Sequence, residues 1–214
     1  KYKIFPEPKL KKYLCQKSLF FMTISKICCC FALLFFVQLS HAQSPVFTQD
    51  DTLRGSITPE RAWWDLNFYN LKVKVNPAEK SISGSNEIHY KVLFPGKIMQ
   101  IDLQTPLRLE RVEQDGQALA VTQQGRNAYF VELKKEQSKG SQQSVTVWYS
   151  GIPREAKNAP WDGGFSWKDD GNGQPFIATS CQGLGASVWW PCKDHAYDEP
   201  DSQAISVTVP TTLT

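Results

Sequence analysis

The residues of this 214-residue chain that could carry out chemistry are concentrated between positions 181 and 199. They include two cysteines, Cys181 and Cys192, and a histidine followed by two acids, His195, Asp198 and Glu199. A histidine with two carboxylates could hold a metal ion, and a cysteine near a histidine could act as a nucleophile. Because a single histidine beside acids in a loop is a common surface arrangement, we predict no metal site in this sequence.

The sequence motifs of complete catalytic sites are missing from the chain. It contains no H-E-x-x-H, no G-x-S-x-G, no P-loop and no G-x-G-x-x-G. These motifs bind zinc, present a nucleophilic serine or hold phosphates. We therefore expect no complete catalytic site within these 214 residues.

The cysteine pair Cys181 and Cys192 allows three interpretations. The preferred one is two buried thiols, which pack as small hydrophobic side chains. The second is a disulfide that closes a short loop and stabilises the fold by about 3 kcal/mol. The third is a nucleophilic thiolate with His195 as its base.

Tryptophan pairs at Trp63-Trp64 and Trp189-Trp190 allow two interpretations. Exposed tryptophans could stack on sugars, and the chain would then be a secreted β-sandwich that binds carbohydrate or protein, with Trp161 in a further loop. The alternative is that these rings fill the core or an interface, where large aromatic side chains are often buried.

The first 42 residues have the composition of a leader rather than of a folded domain. A lysine, a 13-residue apolar run and Ser40-His41-Ala42 follow Met22, which predicts a secretory signal peptide at 22–42. We expect residues 1–21 to be read-through upstream of the start. The protein would then be exported, to the periplasm or the extracellular space, with no stable membrane anchor.

The remainder, 43–214, has 17 basic and 20 acidic residues, although the whole chain has a formal charge of +3. This balance gives no reason to expect nucleic-acid binding. The polar segment 43–60 is expected to be flexible. From 61 onward, apolar residues alternate with polar ones in short runs separated by Gly, Pro and Asn, as in 69–75 and 145–149, and this predicts an antiparallel all-β domain.

Two parts of this domain differ from the alternating pattern. The polar stretch 134–144 predicts a loop. The stretch 151–202 is rich in Trp, Gly, Pro and Asp, and irregular stretches of this length are usually functional or form an interface. His89 alternates with apolar Ile88 and Tyr90, so it is expected on the solvent face of a strand.

Several short stretches together resemble the aminopeptidase N family of zinc metallopeptidases, and they occur in that family's order. They are RAWWDLNFYNLKVKVNP at 61–77, ISG at 82–84, MQIDL at 99–103, VTVWYSG at 145–151, GF at 164–165, ATSCQ at 178–182, WPCKD at 190–194 and ISVTVP at 205–210. The resemblance covers 61–214 and only the N-terminal domain of the family.

This resemblance implies a saddle-shaped β-sandwich that packs beside a catalytic domain of the same chain. It implies that Gln182 reaches the cleft and contacts the first residue or the free amine of a peptide substrate. The zinc of the full-length enzyme would be bound by residues outside this sequence, which we expect to be truncated at its C-terminus. The fragment alone is expected to be inactive.

Overall fold

The computed structural model describes residues 46–211 and 213. The predicted signal peptide at 22–42 and the expected read-through at 1–21 lie outside the described residues. Within the described part, no helix has the length and apolar character needed to cross a membrane.

Strands make up most of the described chain, as the alternation of apolar and polar residues predicts. The strands are β1 (Trp64–Asn76), β2 (Ser81–Val92), β3 (Gly96–Asp102), β4 (Arg108–Gln114), β5 (Gln117–Ala118), β6 (Ala120–Gln124), β7 (Ala128–Gln137), β8 (Gln142–Gly151), β9 (Gly164–Asp169), β10 (Pro175–Ser180) and β11 (Ser202–Thr208). The helices are α1 (Gln49–Gly55) and α2 (Pro59–Ala62), and a 3-10 helix covers Ala186–Val188.

The strands form a six-stranded sheet, a three-stranded sheet and a separate hairpin. Their orders are β11-β1-β2-β8-β4-β5, β3-β7-β6 and β9-β10. Strand β11 runs parallel to β1, and the other paired strands described here are antiparallel. The antiparallel all-β class is confirmed, and the parallel pairing of β11 with β1 is an exception within it. No short turn joins β11 to β1, so turn geometry does not fix its direction.

The core lies between the buried faces of the six-stranded and three-stranded sheets. Alternate residues of β1, including Leu71 and Val73, are buried together with Met99 and Ile101 of β3. This is the pattern expected when one face of each strand packs against a second sheet. The solvent face carries polar residues, among them His89, whose side chain is 41% exposed as predicted.

Two local predictions have different outcomes. The dipeptide Asp115-Gly116 predicts a tight hairpin turn, and these residues do join β4 to β5 with left-handed backbone angles, φ being 51° and 73°. The loop predicted at 134–144 is wrong at both ends, because β7 runs to Gln137 and β8 begins at Gln142. Their outer residues pair with Gly96 and Lys91, so backbone pairing extends the strands through polar sequence.

The described part of the segment 43–60, from residue 46 onward, includes the helix α1. Thr48 and Asp51 form a capping box at the start of α1, in which each side chain bonds the other residue's backbone N–H. The Asp50 carboxylate accepts a hydrogen bond from Arg126 Nε at 2.7 Å. A helix of seven residues is too short to show helical periodicity in the sequence, so only its cap could have predicted it.

Candidate functional site

Two neighbouring stretches between β10 and β11 contain most of the candidate residues. We call residues 181–185 the Gln182 turn and residues 189–194 the WWPCKD segment. The cysteines divide between them, with Cys181 in the turn and Cys192 in the segment. The two stretches are held in different ways, and this difference decides which one can meet a ligand.

The WWPCKD segment is bound to both sheets. Cys192 exchanges two backbone hydrogen bonds with Asp102 at the end of β3, at 2.8 and 3.0 Å. Asn86 of β2 donates from Nδ2 to the carbonyl of Pro191 at 2.9 Å. The Trp190 ring packs against Tyr69 with ring centroids 5.0 Å apart. The segment therefore completes the core at this end of the sandwich.

Lys193 is buried although it carries a charge. Its Nζ donates to the carbonyl oxygen of Trp64 at 2.6 Å and to the Asp198 carboxylate. The ammonium also lies 4.0 Å from the ring centre of Trp64 and 4.8 Å from that of Tyr197. Burial lowers the pKa of Lys193, and the bond to Asp198 opposes this shift. These contacts hold the WWPCKD segment in place, so the role of Lys193 is structural.

A second buried ion pair lies beside the segment. Arg61 is fully buried, and its guanidinium donates to the Asp102 carboxylate at 2.7 Å. The same carboxylate accepts hydrogen bonds from Gln100 Nε2 and from the backbone N–H of Asp194. Burial raises the pKa of Asp102, against the opposing effect of Arg61. The pair joins α2, β3 and the WWPCKD segment.

The histidine and acids at 195–199 are not arranged to bind a metal ion. His195 Nε2 lies 3.1 Å from the Gly55 carbonyl, and its Nδ1 accepts from the backbone N–H of Tyr197. Asp198 is bound to Lys193, and Glu199 is exposed. Among the residues that the structure describes, no group of three or more His, Cys, Asp or Glu could hold a metal. A zinc ion does not fit these residues.

The cysteines are both free thiols in the structure. Cys192 is buried and Cys181 is half-buried, and burial raises the pKa of both thiols. The thiolate is the nucleophilic form, so both environments disfavour it. This supports the preferred interpretation as packed thiols and gives no support to a nucleophile paired with His195.

The Gln182 turn is shaped by its backbone. The carbonyl of Cys181 accepts from the N–H groups of Leu184 and Gly185, at 3.1 and 2.8 Å. Gly185 has a φ of 77°, in the left-handed region that favours glycine. A Cβ at this position would also overlap the Asp194 carboxylate. The close approach of the turn to the WWPCKD segment therefore requires glycine at 185.

Two side chains outside the turn fix its position. Gln104 donates from Nε2 to the carbonyl of Leu184 and to Ser187 Oγ, at 2.5 and 2.9 Å. Arg54 of α1 donates to the carbonyl of Gly183 at 2.9 Å. Sequence reasoning missed both residues. The capping box could have revealed α1, but no local signal pairs Arg54 with a residue so distant in the chain.

Gln182 itself is exposed at the tip of this turn. Within the described part of the chain, its amide makes no hydrogen bond, although the carbonyl groups on both sides of it are bonded. The structure thus places the residue that the family resemblance selects on a fixed backbone with a free side chain. Its contact with a substrate stays a prediction.

The tryptophan pairs do not form a sugar-binding surface. Trp63 and Trp64 are buried and contact Tyr90 edge-on, with centroids 5.7 and 5.6 Å apart. Trp190 is buried, and Trp189 packs partly buried beside it. The structure favours the second interpretation, in which the rings pack in the core.

Comparison with known proteins gives a family and a set of related folds. The family model described as the Peptidase M1 N-terminal domain matches residues 66–213. No curated protein matches the chain. Solved structures include the M1 zinc metallopeptidase from Deinococcus radiodurans, at 22% identity and a TM-score of 0.57, covering 74% of this chain and 36% of that one.

Two further structures have the same fold. A variant of the Deinococcus radiodurans enzyme bound to a Tyr-Ser-Ala substrate is 23% identical, with a TM-score of 0.56, covering 74% of this chain and 36% of that one. Native leukotriene A4 hydrolase from Saccharomyces cerevisiae is 16% identical, with a TM-score of 0.54, covering 83% and 28%. The chain therefore spans about a third of the length of these proteins.

Proposed function

The chain belongs to the M1 peptidase family and contains its N-terminal domain, and from this premise we propose that it forms one wall of the substrate cleft of an exported zinc aminopeptidase. The family membership confirms the resemblance drawn from the sequence motifs. The aminopeptidase activity, the peptide substrate and the catalytic domain that would complete the cleft are parts of the proposal.

The observation that carries this proposal is the Gln182 turn. Its backbone is fixed by Arg54 and Gln104, whereas the Gln182 amide is exposed. A primary amide has an acceptor oxygen and two donor hydrogens. It can therefore accept a hydrogen bond from the ammonium group of a peptide and donate one to a nearby carbonyl group. Gln182 would bind and orient the N-terminal residue of the substrate.

The zinc ion of such an enzyme would be bound by residues outside this chain. The described residues do not provide a ligand set for it, as the contacts of His195 and Asp198 indicate. The large aromatic side chains that the stretch 151–202 exposes most are Trp161 and Phe176, at 74% and 55%. Apolar side chains exposed in this way support docking of a second domain.

The test begins with the coding sequence that follows Thr214. We expect an H-E-x-x-H motif within the next few hundred codons. The intact protein should release N-terminal residues from peptides and lose this activity when a chelator removes zinc. Absence of the motif, or chelator-resistant activity in the intact protein, would contradict the proposal. The 214-residue chain alone should show no peptidase activity.

Export is tested separately. The proposed signal peptide at 22–42 predicts cleavage after Ala42 when the protein is produced in cells with a secretion pathway. Sequencing the N-terminus of the mature protein should then give Gln43 as its first residue. A protein that keeps residues 22–42 in the cytoplasm would refute export and leave the peptidase proposal intact.

A further inference from the structure

The outer face of the six-stranded sheet carries two rows of mostly polar residues. In one row, Ser206, Lys72, Ser85, Trp148 and Arg111 are register neighbours across five strands. In the second row, the neighbours are Thr208, Lys74, Ser83, Ser150 and Arg108. Both rows point away from the core, because the alternate residues Val73 and Tyr149 are buried.

A cleft of about 430 Å³ lies between these side chains. Its floor includes the small residues Ser83 and Ser85 of β2, so the surface is lower there than at the longer side chains on either side. The lysines Lys72 and Lys74 form one side, and Trp148 forms the other. Because strands lie about 4.8 Å apart, the two sides are separated by about 10 Å.

The rows are basic in a domain that is acidic as a whole. They contain four basic residues, whereas 43–214 has more acidic than basic residues. Among the residues that the structure describes, Lys72, Lys74 and Arg108 form no salt bridge. The acid within the cleft is Glu110, which accepts a hydrogen bond from Ser150. The cleft therefore offers cationic groups that are free to bind anions.

Trp148 gives the cleft a second kind of contact. The guanidinium carbon of Arg111 lies 3.7 Å from the Trp148 ring centre, and Arg111 Nε is held by Glu113 at 2.8 Å. This stack fixes the indole at the edge of the cleft. An apolar ring edge, serine hydroxyls and lysines together suit a ligand that has ring faces, hydroxyl groups and negative charges.

We propose that this face binds an anionic oligosaccharide, one that carries sulfate or carboxylate groups. Lys72 and Lys74 would bind the anionic groups, Ser83 and Ser85 would bond to hydroxyls, and Trp148 would pack against a sugar ring. Nucleic acid fits less well, because affinity for it depends on many phosphate contacts. An anionic membrane fits less well too, since surface binding to lipid uses protruding apolar residues, and the two rows contain only the restrained Trp148.

The experiment measures binding to the full chain by isothermal titration calorimetry. The probe is a sulfated hexasaccharide prepared from heparin, and the comparison probe is the same hexasaccharide after desulfation and carboxyl reduction. We expect only the sulfated probe to bind. Its affinity should fall as the salt concentration rises from about 50 to about 200 mM, because salt screens the attraction between exposed charges. Absent binding, or equal affinity for the neutral probe, would overturn the proposal.

Matched variants locate the site. The double variant Lys72→Gln/Lys74→Gln should lower the affinity about tenfold or more, as expected when two charge contacts of ordinary surface strength are lost. The control Lys134→Gln/Lys135→Gln removes the same charge from β7, beside a different polar cleft, and should stay within about twofold. An equal loss in the control would overturn the proposal.

Equally tight binding of oligo(dT) or of phosphatidylglycerol vesicles would also overturn the proposal, because it would indicate an unselective polyanion surface. Unchanged unfolding temperatures would show that the variants are folded.

Discussion

The WWPCKD segment and the Gln182 turn are neighbours in sequence, but their polar side chains are used differently. The Lys193 and Asp194 side chains of the segment bond Asp198 and Ser187, and the Cys192 backbone pairs with Asp102. The turn is held through its carbonyl groups, and the Gln182 side chain is left exposed.

This difference shows that charged and polar residues can serve either to stabilise the fold or to bind a ligand, depending on whether they are buried. A buried charge must be paired and hydrogen-bonded, so Lys193 and Asp102 are committed to partners within the domain. A side chain that is to meet a ligand needs the reverse, a fixed backbone and an unpaired polar group. Gln182 meets this requirement and the more conspicuous WWPCKD residues do not.

We expect the largest effect on stability from removing one partner of the buried ion pair between Arg61 and Asp102. Asp102→Ala leaves the fully buried Arg61 without its counter-ion, and we expect a loss of about 3–5 kcal/mol in the free energy of unfolding. Urea denaturation of the full chain measures this. The control Arg61→Met/Asp102→Leu removes both charges and should recover most of the loss. A loss below about 1 kcal/mol for Asp102→Ala would contradict a structural role for the pair.

The close contact between the Gln182 turn and the WWPCKD segment is tested by substituting Gly185. Gly185→Ala would force a Cβ against Asp194 at a positive φ, and we expect a loss of about 2–3 kcal/mol. Gly183 also has a positive φ, of 71°, but faces open space. Gly183→Ala should therefore cost only about 1 kcal/mol. Equal losses in thermal unfolding would show that the contact with Asp194 is unimportant.

Arg54 tests whether α1 holds the turn. Arg54→Gln removes the bond to the Gly183 carbonyl, and we expect it to lower overall stability by about 1 kcal/mol or less. Amide hydrogen exchange in 181–185 should become faster. The control Arg126→Gln removes the salt bridge to Asp50 on the same helix but keeps the Arg54 bond, so it should change exchange in 181–185 less than Arg54→Gln does. Unchanged exchange in 181–185 after Arg54→Gln would argue against this support.

Labelling of the cysteines disturbs the protein least, because it needs no substitution. Burial raises the pKa of both thiols, so iodoacetamide should modify them more slowly at pH 7 than it modifies a free cysteine. The rate should rise with pH as more thiolate forms. Cys181, half-buried in the turn, should react before the buried Cys192, as mass spectrometry would show. Faster labelling of Cys192 than of Cys181 would show that the WWPCKD segment is more accessible than the turn, contrary to this account.

Much of the fold could be predicted because alternation reports directly on which face of a strand is buried. The strands around Leu71 and Val147 and the turn at Asp115-Gly116 follow from this local information. The parallel pairing of β11 could not be predicted, since it depends on contacts between residues far apart in sequence. The strand ends near Gln137 and Gln142 were missed because pairing in polar sequence leaves no apolar signal.

The candidate site was less predictable for a related reason. Residue type alone could not separate the buried Trp64 and Lys193 from exposed residues that bind ligands, because burial is decided by distant partners. Gln182 was selected through the family resemblance, and composition gave no sign of it. Arg54 and Gln104 were not selected, because their role depends on reaching backbone carbonyls across the fold.

The most direct test of the central claim compares Gln182→Ala with the unaltered sequence in the intact protein, for which we propose aminopeptidase activity. Because Gln182 is exposed and its amide makes no hydrogen bond within the described residues, we expect the free energy of unfolding to change by less than about 0.5 kcal/mol. The KM for a peptide with a free N-terminus should rise about tenfold, as expected when one hydrogen bond to a charged group is lost. An unchanged KM, or a large loss of stability without a change in KM, would contradict the assignment of the Gln182 turn to substrate binding.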